Sequence, residues 1–196
     1  MKRLMLGIST SIWLTACALG SIAGSAELGD DGLHKQAWFA TTFKDIAEDM
    51  QTAADEGKRL AIIFEQRGCI YCRRLHQDVL SDSKVSGYIK DNFMVVQYNL
   101  YGDEEVTDLD GEVLSEKKAA QKWRVLFTPT VLFMPEAAQA DKDAGSIAVA
   151  AIPGTFGKGT TRHMFEWVRA KGYDGEESFQ RYHARRLQEE PNPDMD

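Results

Sequence analysis

The chain has 196 residues, 43% of them hydrophobic and 27% charged, which is material for one globular domain rather than two. Sixteen Gly and five Pro exclude a collagen-like or low-complexity chain, and apolar residues held in short runs exclude a multi-spanning membrane protein. With 23 Lys and Arg against 30 Asp and Glu the net charge is −7, so the chain repels a phosphate backbone and nucleic acid is not an expected partner.

Residues 1–26 differ from the rest. Lys2 and Arg3 precede an apolar run from Leu4 to Leu19, and Ala23-Gly24-Ser25-Ala26 follows, the pattern of a secretory signal peptide cleaved after Ala26. Export to the periplasm is the expectation. Leu14-Thr15-Ala16-Cys17 also resembles a bacterial lipobox, whose Cys17 would be acylated and membrane-anchored, but the sequence stays apolar beyond it. Cleavage after Ala26 removes Lys2, Arg3 and no acid, taking the net charge from −7 to −9, and leaves Cys69 and Cys72 as the cysteines. A disulfide closing so short a loop removes little entropy from the unfolded chain, so this pair reads as reactive rather than structural.

In chain order, residues 27–42 lack periodicity and read as a flexible lead-in to a domain over 43–188. Phe43, Ile46, Ala47, Met50 and Ala54 predict a helix over 43–56, and Leu60 to Phe64 predict a strand buried on both faces. That strand leads into a helix from Cys69 to Leu80, with Cys72, Leu75, His76 and Val79 on one face, then a helix over 83–90 and a strand over 93–100.

Residues 103–112 hold six acids, and Asp110-Gly111 between Val106-Thr107 and Val113-Leu114 predicts a solvated hairpin. A calcium loop centred on Gly111 fails, because Val106 and Lys117 stand where acids are needed. A helix over 115–124 follows, then Pro129 at the opening of a strand Val131 to Met134. A turn over 136–145 joins it to a strand Ile147 to Ile152; helices run from Thr160 or Thr161 to near Gly172 and from Glu177 to Leu187, before a disordered acidic tail, 189–196. The order is that of an α/β domain with an inserted hairpin and helix.

Cys69 stands at the start of its helix, where unpaired N–H groups and the positive end of the dipole favour a thiolate, and Arg67, Arg73 and Arg74 add positive charge. Cys72, one turn on, is placed to resolve a mixed disulfide formed at Cys69. A structural zinc site wants four ligands; Cys69 and Cys72 with His76 supply three at best. Haem attachment fails because Arg73 stands where a His is required.

Phe64-Glu65-Gln66-Arg67-Gly68-Cys69-Ile70-Tyr71-Cys72 after a buried strand, with the later Phe127-Thr128-Pro129-Thr130, resembles the thioredoxin superfamily. The resemblance implies a central mixed β-sheet flanked by helices and a cis-proline loop at Thr128 and Pro129 that faces the cysteines and pairs with substrate backbone. Within it, Phe64-Glu65-Gln66, the stretch Asn99 to Leu114 and Phe127 to Thr130 are similar to the SoxW-type periplasmic thioredoxins of sulfur-oxidation systems. That likeness implies reduction of disulfides in exported protein partners, no cofactor, and a membrane thiol carrier of the CcdA or SoxV kind as electron donor. A disulfide oxidase or isomerase on the same fold, or a metal-binding CxxC protein, is the alternative. Two departures stand out. The buried acid expected six residues before the first cysteine is Ile63, leaving Glu65 as the nearest substitute, and Ile70-Tyr71 is neither Gly-Pro nor Pro-His, so the motif leaves the redox direction open.

Overall fold

The computed structural model describes residues 27–190; the expected signal peptide with Cys17, and positions 191–196 of the expected tail, lie outside the described residues. The chain enters through a small antiparallel hairpin, β1 (Glu27–Leu28) and β2 (His34–Lys35), and then α1 (Ile46–Asp55). The central strand β3 (Arg59–Glu65) is buried along its whole length, its charged ends included, and its apolar run Leu60 to Phe64 suits a strand covered on both faces. It leads to α2 (Ile70–Arg74), a π-helical turn (Leu75–Val79), α3 (Ser83–Asn92) and β4 (Phe93–Asn99).

An inserted hairpin, β5 (Glu105–Thr107) and β6 (Val113–Ser115), and α4 (Glu116–Lys122) precede β7 (Thr130–Phe133), a short α5 (Ala144–Ile147) and β8 (Ala150–Pro153). Helices α6 (Lys158–Arg169) and α7 (Phe179–Glu189) complete the described chain. The main sheet runs β4-β3-β7-β8, with β3 and β4 parallel and the other pairs antiparallel. Ala40 adds a parallel bridge to Val96 at the β4 edge.

Alternate residues of β3 face opposite sides of the sheet. Leu60, Ile62 and Phe64 enter a core with α1, α4 and Trp123, while Ala61 and Ile63 enter a second with Leu75, Val79, Ile89 and Phe165. This is the mixed sheet between helices that the thioredoxin resemblance implies, with the inserted hairpin that Asp110-Gly111 predicts.

Several local expectations are corrected. Residues 27–42 are not an unstructured lead-in: Leu33 is buried, Lys35 donates to Gln97 Oε1 at 2.8 Å, and Gln97 donates to the His34 carbonyl at 2.7 Å. The first helix starts three residues late, because Asp45 caps it by accepting from Glu48 N, leaving Phe43 94% exposed. Its buried face carries Asp49 and Ala53 in place of Ala47 and Ala54. Ile147 ends a helical turn capped by Asp143 instead of opening a strand, and the β7–β8 register pairs Val131 with Ile152.

The acids of the insertion are also less solvated than their run suggests. Asp108 is 3% exposed and accepts from Trp123 Nε1 at 2.8 Å and Ala144 N at 2.9 Å. Lys122 contacts Asp108, Asp110 and Glu112 at 2.9, 2.6 and 2.9 Å, tying the hairpin to α4. Glu189 belongs to α7, so the helix reaches into the stretch expected as tail.

Candidate active site

The site begins where β3 ends. Gly68 takes φ 72°, a left-handed conformation that glycine adopts without steric cost, and turns the chain from the strand into α2. Cys69 is the N-cap of α2 and its sulfur accepts from Cys72 N at 3.0 Å. Cys69 and Cys72 form a disulfide. Cys69 keeps 8% of its surface exposed and Cys72 none, so an incoming group meets the first sulfur and the second stays inside.

The Thr128–Pro129 bond is cis, and the loop lies against the disulfide. Thr128 Oγ1 donates to Cys69 Sγ at 3.4 Å, and the Thr128 carbonyl oxygen stands 3.5 Å from the same sulfur. On the other side, Thr155 Oγ1 donates to the Tyr71 carbonyl at 2.7 Å, bringing the loop between β8 and α6 to the cysteines. Ile70, Tyr71, Leu126, Phe127 and Phe156 are between 44 and 73% exposed, an apolar rim that water-facing side chains do not ordinarily form. Nothing in the sequence singled out Thr155 or Phe156, since neither belongs to a local motif; only the β7–β8 hairpin brings them here.

The arginines separate. Arg67 donates to the Asp31 carbonyl at 3.2 and 3.3 Å and holds the N-terminal hairpin, and Arg74 pairs with Asp78 at 3.8 Å. Arg73 lines an open cleft of about 670 Å³ with Cys69, Ile70, Arg67 and His34.

Glu65, at the end of β3, is fully buried. Its Oε1 lies 2.7 Å from His76 Nε2 and its Oε2 accepts from Gln97 Nε2 at 2.8 Å. His76 is equally buried, with Nδ1 3.2 Å from Gln36 Nε2. Both ring nitrogens of His76 are thus engaged by Glu65 and Gln36 rather than offered to the cysteines as a third metal ligand. Among the described residues, no three His, Cys, Asp or Glu side chains are grouped to hold a metal ion. The His34 ring stands 5.6 Å from that of His76; burial, then the neighbouring His76, lowers its pKa. His34 and Gln36 escaped the sequence reading because they lie in the segment taken for a lead-in.

Among the described residues no helix is long and apolar enough to cross a membrane. No curated protein sequence matches the chain. The fold is similar to that of a thioredoxin-fold protein from Helicobacter pylori, with TM-score 0.60 and 18% identity over 78% of this chain and 93% of the other. A thioredoxin from Thermus thermophilus aligns with TM-score 0.50 and 23% identity, over 65% of this chain and 86% of its own. At these identities the likeness is one of fold. The sequence model of the thioredoxin-like domain matches residues 46–145, which span α1, the cysteine pair, the insertion and the Thr128–Pro129 loop. With that match over half of its length, the chain belongs to the thioredoxin-like domain family.

Proposed function

We propose that this thiol–disulfide oxidoreductase is an exported reductant of disulfides in protein partners, acting in a periplasmic reductive pathway of the SoxW kind. The observation that carries the reading is the Cys69–Cys72 disulfide at the start of α2, with only Cys69 reaching the surface inside an apolar rim. The sequence likeness to SoxW-type proteins supplies the direction.

In the reduced protein the Cys69 thiolate attacks one sulfur of a partner disulfide. A Cys69–partner bond forms, the partner's S–S bond breaks, and its electron pair leaves on the second partner sulfur, which takes a proton. Cys72 then attacks Cys69, forming the intramolecular disulfide and releasing the reduced partner. A membrane thiol carrier of the CcdA or SoxV kind returns two electrons and two protons to the pair. The rim of Ile70, Tyr71, Phe127 and Phe156 receives an apolar stretch of the partner, and Thr128 offers backbone beside the reacting sulfur. Delivery relies on the signal peptide 1–26; anchoring through Cys17 is the alternative ending of that segment.

A Cys72→Ser variant is expected to accumulate covalent partner complexes while Cys69→Ser does not; equal trapping by both overturns the roles. The reduction potential, read by equilibration with a glutathione series, separates the direction. A value near about −270 mV supports a reductant, and one near about −120 mV turns the reading to disulfide formation.

A further inference from the structure

The cysteine turn gathers positive charge in a chain that has 30 acids against 23 bases. Arg67 stands two positions before Cys69. Arg73 stands four after it, where its backbone N–H donates to the Cys69 carbonyl at 3.1 Å. Four residues along a helix make about one turn, so Arg73 rises from the same side of α2 as Cys69, and both arginines line the cleft that Cys69 lines.

Arg67 is fixed by the N-terminal hairpin. Its Nε and Nη2 donate to the Asp31 carbonyl at 3.3 and 3.2 Å, and its stem lies across Gly32. A Cβ at Gly32 would come within 2.7 Å of Arg67 Nε and 2.9 Å of its Cγ, and Gly32 takes φ 77°, a left-handed conformation that suits glycine. The hairpin turn therefore both bends the chain and leaves room for the guanidinium. Among the described residues neither Arg67 nor Arg73 is paired with a carboxylate, whereas Arg59, Arg74, Arg162, Arg185 and Arg186 each are. Asp31 is taken by Lys35 at 2.5 Å, which leaves Asp30 as the acid on the hairpin wall of the cleft. His34 on that wall adds little charge at neutral pH, because burial and then the neighbouring His76 lower its pKa. The exposed side chains of Leu28 and Ile70 supply apolar surface, and Ile70 belongs to both the cleft and the apolar rim, so the two surfaces are continuous.

We propose that this cleft selects partner disulfides by charge. It receives an extended segment of a partner protein that carries an Asp or Glu within two residues of the cysteine attacked by Cys69, with the carboxylate held by Arg67 and Arg73. The proposal rests on the reading of Cys69 as the group that attacks a partner, and it names the class of partner. A guanidinium offers a planar fork of donors that matches a carboxylate, and each residue of extended chain spans about 3.3 Å, so a neighbour of the attacked cysteine reaches the arginines. The occupant is a protein segment, because the cleft runs on into an apolar rim that a small anion would leave uncovered. The charges act chiefly on encounter and register, and the N-terminal hairpin takes part by holding Arg67 in place.

The test uses peptides with a single cysteine capped by thionitrobenzoate, identical except for Glu, Gln or Lys before the cysteine. Attack of reduced Cys69 on the peptide sulfur releases the coloured anion, which stopped-flow absorbance follows. At low salt the Glu peptide is expected to react about fivefold faster than the Gln peptide, and the Lys peptide more slowly than both. The spread closes in 1 M salt, where the screening length is about 3 Å. Arg67→Gln with Arg73→Gln brings the three rates within about twofold of one another. The readout is the ratio among peptides, from which any change in the thiolate population of Cys69 divides out. Arg73→Gln alone leaves the hairpin contacts of Arg67 intact and loses part of the ratio, Arg67→Lys keeps the charge and most of the ratio, and Arg74→Gln, outside the cleft, keeps all of it. Equal rates for the three peptides, or a preference that survives the double replacement, overturns the proposal. Glutathione capped in the same way, if it outpaces the Glu peptide with the same dependence on both arginines, overturns the choice of a protein segment. A protein inert to every capped peptide, or one whose anion release needs Cys72 and not Cys69, instead overturns the reading on which the proposal rests.

Discussion

Thr128 meets Cys69 through both its hydroxyl, which donates to Sγ at 3.4 Å, and its carbonyl oxygen, 3.5 Å from the same sulfur. The hydroxyl is therefore a donor to the thiolate once the disulfide opens, whereas the carbonyl is shared with backbone that a partner would pair with. Replacing Thr128 with Val removes the donor and keeps the branched shape. A hydrogen bond to a charged group contributes about 1.5 kcal/mol, so the thiolate absorbance titration of reduced Thr128→Val is expected to move upward by about one pH unit. Thr128→Ser, which retains the hydroxyl, should titrate as the wild type does.

The apolar rim makes a second prediction. Phe127 is 65% exposed and Tyr71 52%, beside a site that is otherwise framed by polar backbone. Covering a large side chain contributes about 1.5–3 kcal/mol to binding. Phe127→Ser is expected to raise KM for a disulfide-bonded protein by about tenfold, with kcat lowered less than about twofold, because the lost contact acts before and during the reaction alike. A fall in kcat with KM unchanged would assign Phe127 to the chemical step instead.

Acid should loosen α7 from α6. His163, 1% exposed, has its Nδ1 2.8 Å from His183 Nδ1, a contact that needs one of the two nitrogens unprotonated. Burial first, then the neighbouring His183, Arg186 and Arg162, lower the His163 pKa, with Glu166 opposing them. The folded state thus holds His163 neutral while an undocked His titrates near about 6.5. The stabilisation is complete above that pH and is lost as pH falls through it toward the lower folded value. Trp167, whose Nε1 donates to the Glu177 carbonyl at 3.1 Å and whose ring is 5.9 Å from Phe179, reports the change by fluorescence. His163→Phe, which removes the buried imidazole that must charge, should abolish the acid transition; its persistence would place the sensitivity elsewhere.

Asp49 carries the opposite sign. It is 5% exposed and burial pushes its pKa up to about 6, against the Thr42 hydroxyl that donates to Oδ2 at 3.0 Å. An unfolded Asp titrates near about 3.9, so the folded state prefers the protonated acid, and stability declines as pH rises through about 6. Asp49→Asn keeps an acceptor for Thr42 and is expected to raise stability at pH 7.5 by about 2 kcal/mol, with Tm up by roughly 4–8 °C. Below about pH 4 the wild type and the variant should melt together. A gain that persists in acid would rule out charge burial as its cause.

Much of the site was legible in a single stretch of sequence. The run Leu60 to Phe64 and the spacing of Cys69, Cys72, Leu75 and Val79 dictate a buried strand and a helix starting at a thiol, both through contacts between near neighbours. The Asp110-Gly111 hairpin was legible for the same reason, with Gly111 at φ 82°, whereas the Thr128-Pro129 loop was legible only through the family resemblance. The helix over 43–56 was placed but turned, because a capping Asp45 outweighs the apolar character of Phe43 at the helix start.

What only the tertiary structure decided is the set of partners held by buried polar groups. Gln36 reaches His76 across 40 positions of sequence and Lys35 reaches Gln97 across 62, while Thr155 reaches the Tyr71 carbonyl across 84. Apolar burial is encoded by periodicity, since any apolar neighbour satisfies a Leu or Val equally well. A buried carboxylate or imidazole needs one atom of the right kind at about 3 Å, and which atom arrives there depends on how distant segments are folded together. Residues 27–36, with little apolar pattern of their own, are ordered by that requirement: the polar pair under the cysteine helix needs the side chains they bring.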